Sequence, residues 1–86
     1  MLVGLNKVCN HGGREYHLQV EDLGLEAAAF EMRVYEKGTV LWRKKVPYQE
    51  LLDKNLPRPE LEEQLRSQME RAQLTMEAAI AKGKLG

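Results

Sequence analysis

The residues suited to metal binding or nucleophilic chemistry lie near the start of the chain: Cys9, His11 and His17. A structural zinc site needs four such ligands, and a catalytic one needs three ligands with an open position. The chain has one cysteine and two histidines, and a Cys-x-His pair with a distant third ligand matches no recurrent zinc spacing. We therefore expect no metal and no cofactor. Cys9 should pack as a small apolar residue, His11 should lie in a turn, and His17 should lie on a solvated strand face.

Cys9 and His11 could also act as nucleophile and base, because residues two apart on a strand share a face. His17 and Glu21 share a face in the same way and could do acid–base work. However, no nucleophile-elbow motif, oxyanion-hole signature or orienting carboxylate accompanies Cys9 and His11, and surface strands routinely carry residues such as His17 and Glu21. The sequence therefore predicts a protein that is not an enzyme and has no catalytic residues. A small metal or thiol enzyme is the lowest-ranked alternative.

A basic run, Trp42-Arg43-Lys44-Lys45, raises the question of nucleic-acid binding. On a strand this run divides, with Trp42 and Lys44 on one face and Arg43 and Lys45 on the other. The chain carries 13 basic and 13 acidic residues, whereas nucleic-acid binders usually carry a basic excess. A charged edge strand explains the run better. A nucleic-acid-associated module that uses Arg33, Arg43 and Lys45 is therefore the second-ranked function.

The strongest structural signal is a β-hairpin from Ala27 to Val46 with Glu36-Lys37-Gly38 at its tip. Gly38 can adopt the positive φ that a three-residue hairpin loop requires. The even-numbered residues then form one apolar face. The expected register pairs Tyr35 with Thr39, Val34 with Val40, Met32 with Trp42, Phe30 with Lys44, and Ala28 with Val46.

A helix from Leu25 to Tyr35 is the competing interpretation of the first half of this hairpin, since the alanines at 27–29 have helical propensity. Two further strands precede the hairpin. Residues 14–21 alternate cleanly between apolar and polar, and residues 2–9 form a less regular first strand. Sequential short connections predict a sheet of three or four antiparallel strands.

Two helices follow the strands. A short helix is predicted within residues 47–55, with Pro47 first and Asn55 as a left-handed terminator. A long helix is predicted over residues 59–82, with Pro59 first and an apolar stripe formed by Leu61, Leu65, Met69, Ala72, Met76, Ala79 and Ile80. That stripe is expected to cover one sheet face, contacting Leu18, Val20, Phe30, Met32 and Trp42.

The predicted fold is therefore one α+β domain over residues 1–86, with a β-meander over residues 1–46 and a long C-terminal helix packed on one face. A single cysteine excludes an internal disulfide, and no apolar run approaches the roughly 18 residues needed to span a bilayer. Residues 1–5 lack a basic stretch and are too short for a signal-peptide core. We expect a cytoplasmic protein that does not contact a membrane.

Three stretches of the chain resemble a family of small uncharacterised bacterial domains: Tyr16-His17-Leu18-Gln19-Val20-Glu21-Asp22, then Val34-Tyr35-x-x-Gly38-x-Val40, then Lys44-Lys45-Val46-x-Tyr48. Members are alike in a Tyr-His-x-Gln-x-Glu-Asp strand, a Gly-tipped hairpin and a C-terminal helix. The resemblance covers most of the chain and implies a shared surface that includes His17, Gln19 and Glu21. It implies no activity and no cofactor.

The predicted function is that of a small protein-interaction or regulatory module. Its candidate binding surface is the uncovered side of the sheet, which we call the polar face: His17, Gln19, Glu21, Glu31, Arg33, Leu41 and Arg43. An open sheet edge and the long helix are the other candidate surfaces.

Cross-strand pairing on the polar face is expected to place Arg33 opposite Leu41, and Glu31 opposite Arg43 as an ion pair. Self-association is a further expectation. Three apolar residues lie off the helix stripe and could form a helix–helix seam: Leu74, Ala78 and Ala81.

Overall fold

The computed structural model describes residues 4–83, which form one four-stranded antiparallel sheet and two helices. The strands lie in the sheet in chain order and are β1 (Leu5–His11), β2 (Arg14–Asp22), β3 (Ala29–Glu36) and β4 (Thr39–Pro47). They are followed by α1 (Gln49–Leu52) and α2 (Arg58–Ala81). The predicted α+β fold, a β-meander with a short helix and a long C-terminal helix, is confirmed.

Several boundaries differ from those predicted. Residues 2 and 3, placed in the first strand, lie outside the described residues. The short helix begins after Tyr48 because Pro47 ends β4, and an edge strand tolerates its missing N–H. Asn55 has the expected left-handed conformation, with a φ of 53°. The long helix begins at Arg58, so Pro59 is its second residue.

The competing helix over residues 25–35 is not formed, because residues 25–28 make a turn and β3 begins at Ala29. Tertiary pairing of β3 with two neighbouring strands overrides the helical propensity of the alanines. No helix within residues 4–83 has the length and apolar character needed to cross a membrane.

The β3–β4 hairpin has a shorter loop than predicted. Glu36 pairs with Thr39, and the loop residues Lys37 and Gly38 have positive φ values of 52° and 79°, as two-residue hairpin turns prefer. A bulge at Leu41 then shifts the register again. The predicted register is therefore wrong, and the observed pairs are Tyr35 with Val40, Val34 with Trp42, Met32 with Lys44, and Phe30 with Val46.

The apolar face of the hairpin nevertheless keeps most of its predicted residues. Val40, which pairs with Tyr35, lies on the other face, and Ala28 lies in the turn before β3. The shorter loop and the bulge each move the pairing by one residue, and two such shifts restore the original alternation of faces. Residues 30, 32 and 34 of β3 therefore share a face with residues 42, 44 and 46 of β4.

The core lies between this sheet face and α2. Four sheet residues are at most 1% exposed: Leu18, Val20, Phe30 and Val34. The helix buries residues spaced three or four apart: Leu65, Met69, Ala72, Met76 and Ile80. Two other members of the predicted stripe, Leu61 and Ala79, are only partly buried.

The helix does not cover the sheet evenly. It packs against β1, β2 and β3, and an ion pair of 2.6 Å between Lys7 Nζ and Glu77 Oε1 holds it near β1. None of the nine residues of β4, all within the described chain, is fully buried. Trp42, which was expected beneath the helix, is only partly covered. The core side of β4 therefore remains open to solvent.

Tyr48 links α1 to the loop between β2 and β3 through buried polar contacts. Its hydroxyl donates to Asp22 Oδ1 at 2.6 Å, and the Gly24 amide donates to the same oxygen at 3.0 Å. Tyr48 and Asp22 are both 2% exposed. Burial, supported by the hydrogen bond to Asp22 and the charge of its carboxyl, raises the pKa of Tyr48 well above its usual 10.

We expect Tyr48→Phe to lower the free energy of unfolding by about 1.5–3 kcal/mol at pH 7, because a buried carboxyl loses a strong donor. Above pH 10 the unfolded tyrosine ionises while the folded one keeps its proton, so the wild-type protein loses stability that the variant keeps. The difference should shrink by up to about 1.4 kcal/mol per pH unit above that point.

Urea unfolding of both proteins between pH 7 and pH 11 measures this effect. Tyr35→Phe is the matched control, because no hydrogen bond of the Tyr35 hydroxyl is found within residues 4–83. That control should change stability by less than about 0.5 kcal/mol. A Tyr48→Phe effect that stays constant across the pH range would contradict the raised pKa.

Candidate functional site

The three candidate ligands are not brought together. Cys9 is partly buried on the core side of the sheet, opposite Tyr16. His17 is exposed on the other face, where its Nε2 lies 3.2 Å from Glu15 Oε1. His11 is exposed at the end of β1. Within residues 4–83 no group of three or more His, Cys, Asp or Glu is placed to hold a metal ion.

The residues of the polar face lie on the side of the sheet away from α2, as the strand registers require. Ion pairs occupy its centre. Arg33 contacts Glu21 on the neighbouring strand and also Glu31, whose Oε1 lies 3.6 Å from Arg33 Nε. Much of the charge on this face is therefore balanced within the molecule.

Two expected cross-strand contacts on the polar face are wrong. Arg33 lies opposite Arg43 instead of Leu41, and Glu31 lies opposite Lys45 instead of Arg43. The two-residue loop and the bulge at Leu41 are the reason, because together they move β4 by two residues relative to β3. Arg43 consequently has no carboxylate opposite it on β3.

At one end of the polar face the sheet forms a hollow of about 750 Å³ beside the Arg14–Glu36 ion pair. The hydrogen bond from Arg14 holds the pKa of the Glu36 carboxyl below its ordinary value, and Glu36 raises the pKa of Arg14. His17 and Glu15, which also line the hollow, contact each other. Arg14 and Glu36 therefore satisfy each other, and so do Glu15 and His17.

The second surface feature is an apolar groove of about 370 Å³ between β4 and α2, which we call the β4 groove. Its sheet wall is formed by Phe30, Met32, Trp42, Lys44 and Val46, and its helix wall by Gln68, Arg71, Ala72 and Thr75. The helix residues are spaced three, four and seven apart, so they form one continuous stripe. The groove thus runs along the core side of the edge strand.

The groove follows from the position of α2. A twisted sheet diverges from a straight helix towards its edges, and α2 is tied to the β1 side by Lys7 and Glu77. On the β4 side, the helix presents the short side chains of Ala72 and Thr75. Trp42, which lines the groove with them, remains only partly covered.

Four cations lie in the groove or on the strand beside it: Arg43, Lys44, Lys45 and Arg71. Lys44 and Arg71 line it directly, while Arg43 and Lys45 lie on the same strand and point to the polar face. Among the described residues none of the four forms an ion pair, whereas Lys7, Arg14, Arg33 and Arg58 each do. The β4 side of the molecule therefore carries positive charge that the protein does not neutralise.

No family model, no curated protein and no solved structure matches this chain. The resemblance to small uncharacterised bacterial domains stays a prediction. The site must accordingly be interpreted from its geometry and chemistry.

Sequence reasoning identified the polar face but missed the β4 groove. The available signal was Lys44, which alternates with Trp42 and Val46 and so points to the core side of the sheet. An inward-pointing charge is typical of an edge strand whose core side is not covered. The off-stripe helix residues predicted as a dimer seam, Leu74, Ala78 and Ala81, are all exposed, and their role stays a prediction.

Proposed function

We propose that this chain is a small, non-catalytic protein-interaction module and that its partner binds at β4. The observation that carries the proposal is the coincidence of an open strand edge with the β4 groove. The edge offers unpaired backbone N–H and C=O groups, and the groove offers apolar surface beside them. Domains that bind extended segments of other proteins combine these two features.

The polar face supports this function in a secondary way. Its central Arg33 is already paired with Glu21 and Glu31. A further ion pair from Arg33 to a partner would therefore contribute little to the free energy of binding. Arg43, which lacks such a partner, lies at the β4 side of this face. A bound partner that reaches around the edge would therefore contact Arg43 first.

The separation of the thiol and imidazole groups supports a non-catalytic role. Cys9 and His17 lie on opposite sides of the sheet, so His17 cannot act as a base for the Cys9 thiol. Cys9 and His11 share a face of β1, but no hydrogen bond or ion pair within residues 4–83 orients the His11 ring. We further propose a reducing, cytoplasmic site of action, which suits a partly buried free cysteine.

Nucleic-acid association is the alternative, and the acidic residues of the polar face weigh against it. Glu15, Glu21 and Glu31 lie on the same side as Arg33 and Arg43, so they would repel a phosphate backbone laid across that side. Arg43, Lys44 and Lys45 of the β4 edge form no ion pair within residues 4–83, so the positive charge available to a phosphate lies at this edge.

Site-specific photo-crosslinking tests the proposal in the cells that make this protein. A photoreactive residue replaces Lys44 in the β4 groove, and matched proteins carry it at His17 on the polar face or at exposed Glu63 on α2. We expect discrete protein adducts from position 44 that disappear in a Trp42→Ala background, and few adducts from position 63. Adducts to nucleic acid at position 44 would favour the alternative, and protein adducts confined to position 17 would contradict binding at β4.

A further inference from the structure

We propose that the partner segment is an extended, acidic peptide that adds to β4 as a fifth strand. Its alternate side chains are apolar and enter the β4 groove, and the side chains between them are acidic and lie beside Arg43 and Lys45. This inference rests on the proposed protein-binding function and specifies the chemistry of the ligand.

The backbone of β4 provides the first part of the argument. The strand order β1-β2-β3-β4 leaves one side of β4 without a partner strand within residues 4–83. A peptide that lies along that side can form main-chain hydrogen bonds with β4. These bonds contribute affinity that does not depend on the side chains of the peptide. The bulge at Leu41 interrupts regular geometry near the hairpin tip, so the regular stretch available for pairing is residues 42–46.

The alternation of side chains determines the pattern of the ligand. Trp42, Lys44 and Val46 point to the groove, and Arg43 and Lys45 point to the opposite face. The side chains of an added strand alternate in the same way, so every second one is placed over the groove beside Trp42. Those positions favour apolar residues, because the groove wall is mainly aromatic and aliphatic.

Charge determines the remaining positions. Arg43 and Lys45 form no ion pair with any described residue, and they lie on the edge where the second set of ligand side chains would lie. Opposite charges that face each other on neighbouring strands attract. The peptide positions beside Arg43 and Lys45 therefore favour Asp or Glu. Arg71 and Lys44 add positive charge at the margins of the groove and favour an acidic ligand overall.

A second copy of this chain is a poor occupant of the same edge. Pairing two β4 strands would bring the basic residues 43–45 of both copies together along one ladder, where like charges repel. Basic residues on an edge strand are a common protection against such self-pairing. The other edge of the sheet, β1, offers less open apolar surface, because α2 packs against its core side and Lys7 pairs there with Glu77.

Fluorescence anisotropy with labelled peptides tests this inference. The probe is a blocked nine-residue peptide in which Val or Ile alternates with Glu, and it is compared with two control peptides. The first control has the same composition with all glutamates at one end, and the second has Lys in place of Glu. We expect the alternating acidic peptide to bind about tenfold or more tightly than either control, with affinity falling as salt rises.

Charge-reversal variants assign the binding to β4. Arg43→Glu with Lys45→Glu should weaken binding of the alternating acidic peptide about tenfold or more and improve binding of the lysine peptide. Arg66→Glu with Lys54→Glu makes the same change in net charge at exposed residues outside the groove, and it should leave the preference for the acidic peptide intact. Circular dichroism of both double variants confirms that they are folded.

Three results would overturn the inference. The first is equal affinity for the alternating and reordered acidic peptides, because alternation is what strand addition requires. The second is tighter binding of a mixed single-stranded oligonucleotide than of any peptide, lost in the Arg43/Lys45 double variant. The third is sedimentation of the free protein as a dimer that Trp42→Ala dissociates. If position 44 crosslinks to proteins but the two acidic peptides bind equally well, the proposed binding at β4 is retained. Only the alternating acidic peptide is then rejected as the ligand.

Discussion

Phe30→Ala is expected to lower the free energy of unfolding by about 3–5 kcal/mol, the largest stability effect in the chain. Phe30 is 1% exposed and lies near the start of the inner strand β3, between Asp22 of β2 and Val46 of β4. Its ring also stacks on Tyr48, with 6.5 Å between the centroids and 20° between the planes. The substitution therefore removes apolar burial and leaves a cavity that joins the sheet to α1.

A domain of this length is expected to have roughly 4–13 kcal/mol of total stability, so Phe30→Ala should remove a large share of it. Urea unfolding followed by circular dichroism measures the loss. Leu74→Ala is the matched control, since Leu74 is a large apolar residue that is 61% exposed, and it should cost less than about 0.5 kcal/mol. A Phe30→Ala cost below about 1 kcal/mol would mean that the core does not lie where the structure places it.

Trp42→Ala is expected to weaken partner binding strongly while leaving the protein folded. Trp42 is only partly covered, so its loss should cost about 1–2 kcal/mol of stability, less than a fully buried aromatic residue. In the bound state it would be enclosed between the partner strand and α2. Enclosed tryptophans at interfaces commonly contribute 2 kcal/mol or more, so affinity should fall by about 30-fold or more.

Titration of the variant with the alternating acidic peptide measures the loss of affinity. Urea unfolding of the free variant measures the loss of stability. Leu41→Ala is the control for binding, because Leu41 lies on β4 but faces the hollow on the polar face. It should change affinity by less than about threefold, as residues at the rim of an interface usually do. If Leu41→Ala costs as much affinity as Trp42→Ala, the partner occupies the polar face instead of the β4 groove.

Much of the fold was predictable from local chemistry. Alternation in residues 14–21 and in the hairpin predicted the strands, and the spacing of Leu65, Met69, Met76 and Ile80 predicted the buried face of α2. These signals are strong because each face of the sheet has a uniform environment over several residues. The order of the strands followed from the short connections.

The register of the hairpin could not be predicted, because it depends on a loop type and a bulge that residue types indicate weakly. Both Lys37 and Gly38 adopt positive φ, and lysine rarely does so. The bulge at Leu41 has no marker such as glycine or proline. The predicted ion pair between Glu31 and Arg43 was wrong for this reason.

The β4 groove could not be predicted from the sequence for a different reason. Its existence depends on where α2 lies across the sheet, and helix position is set by packing and by contacts such as Lys7–Glu77 that join distant parts of the chain. The helix periodicity indicates which residues face inward but not which strands they cover. Trp42 was therefore assigned to the core, although it forms part of an open surface.

The most direct test of binding at β4 is an NMR titration of the ¹⁵N-labelled protein with the alternating acidic peptide. We predict amide shift changes concentrated in residues 42–46 of β4 and residues 68–75 of α2, with slowed hydrogen exchange of β4 amides that face the free edge. Shift changes concentrated in residues 15–21 and 31–33, with β4 unaffected, would contradict it and assign the interaction to the polar face.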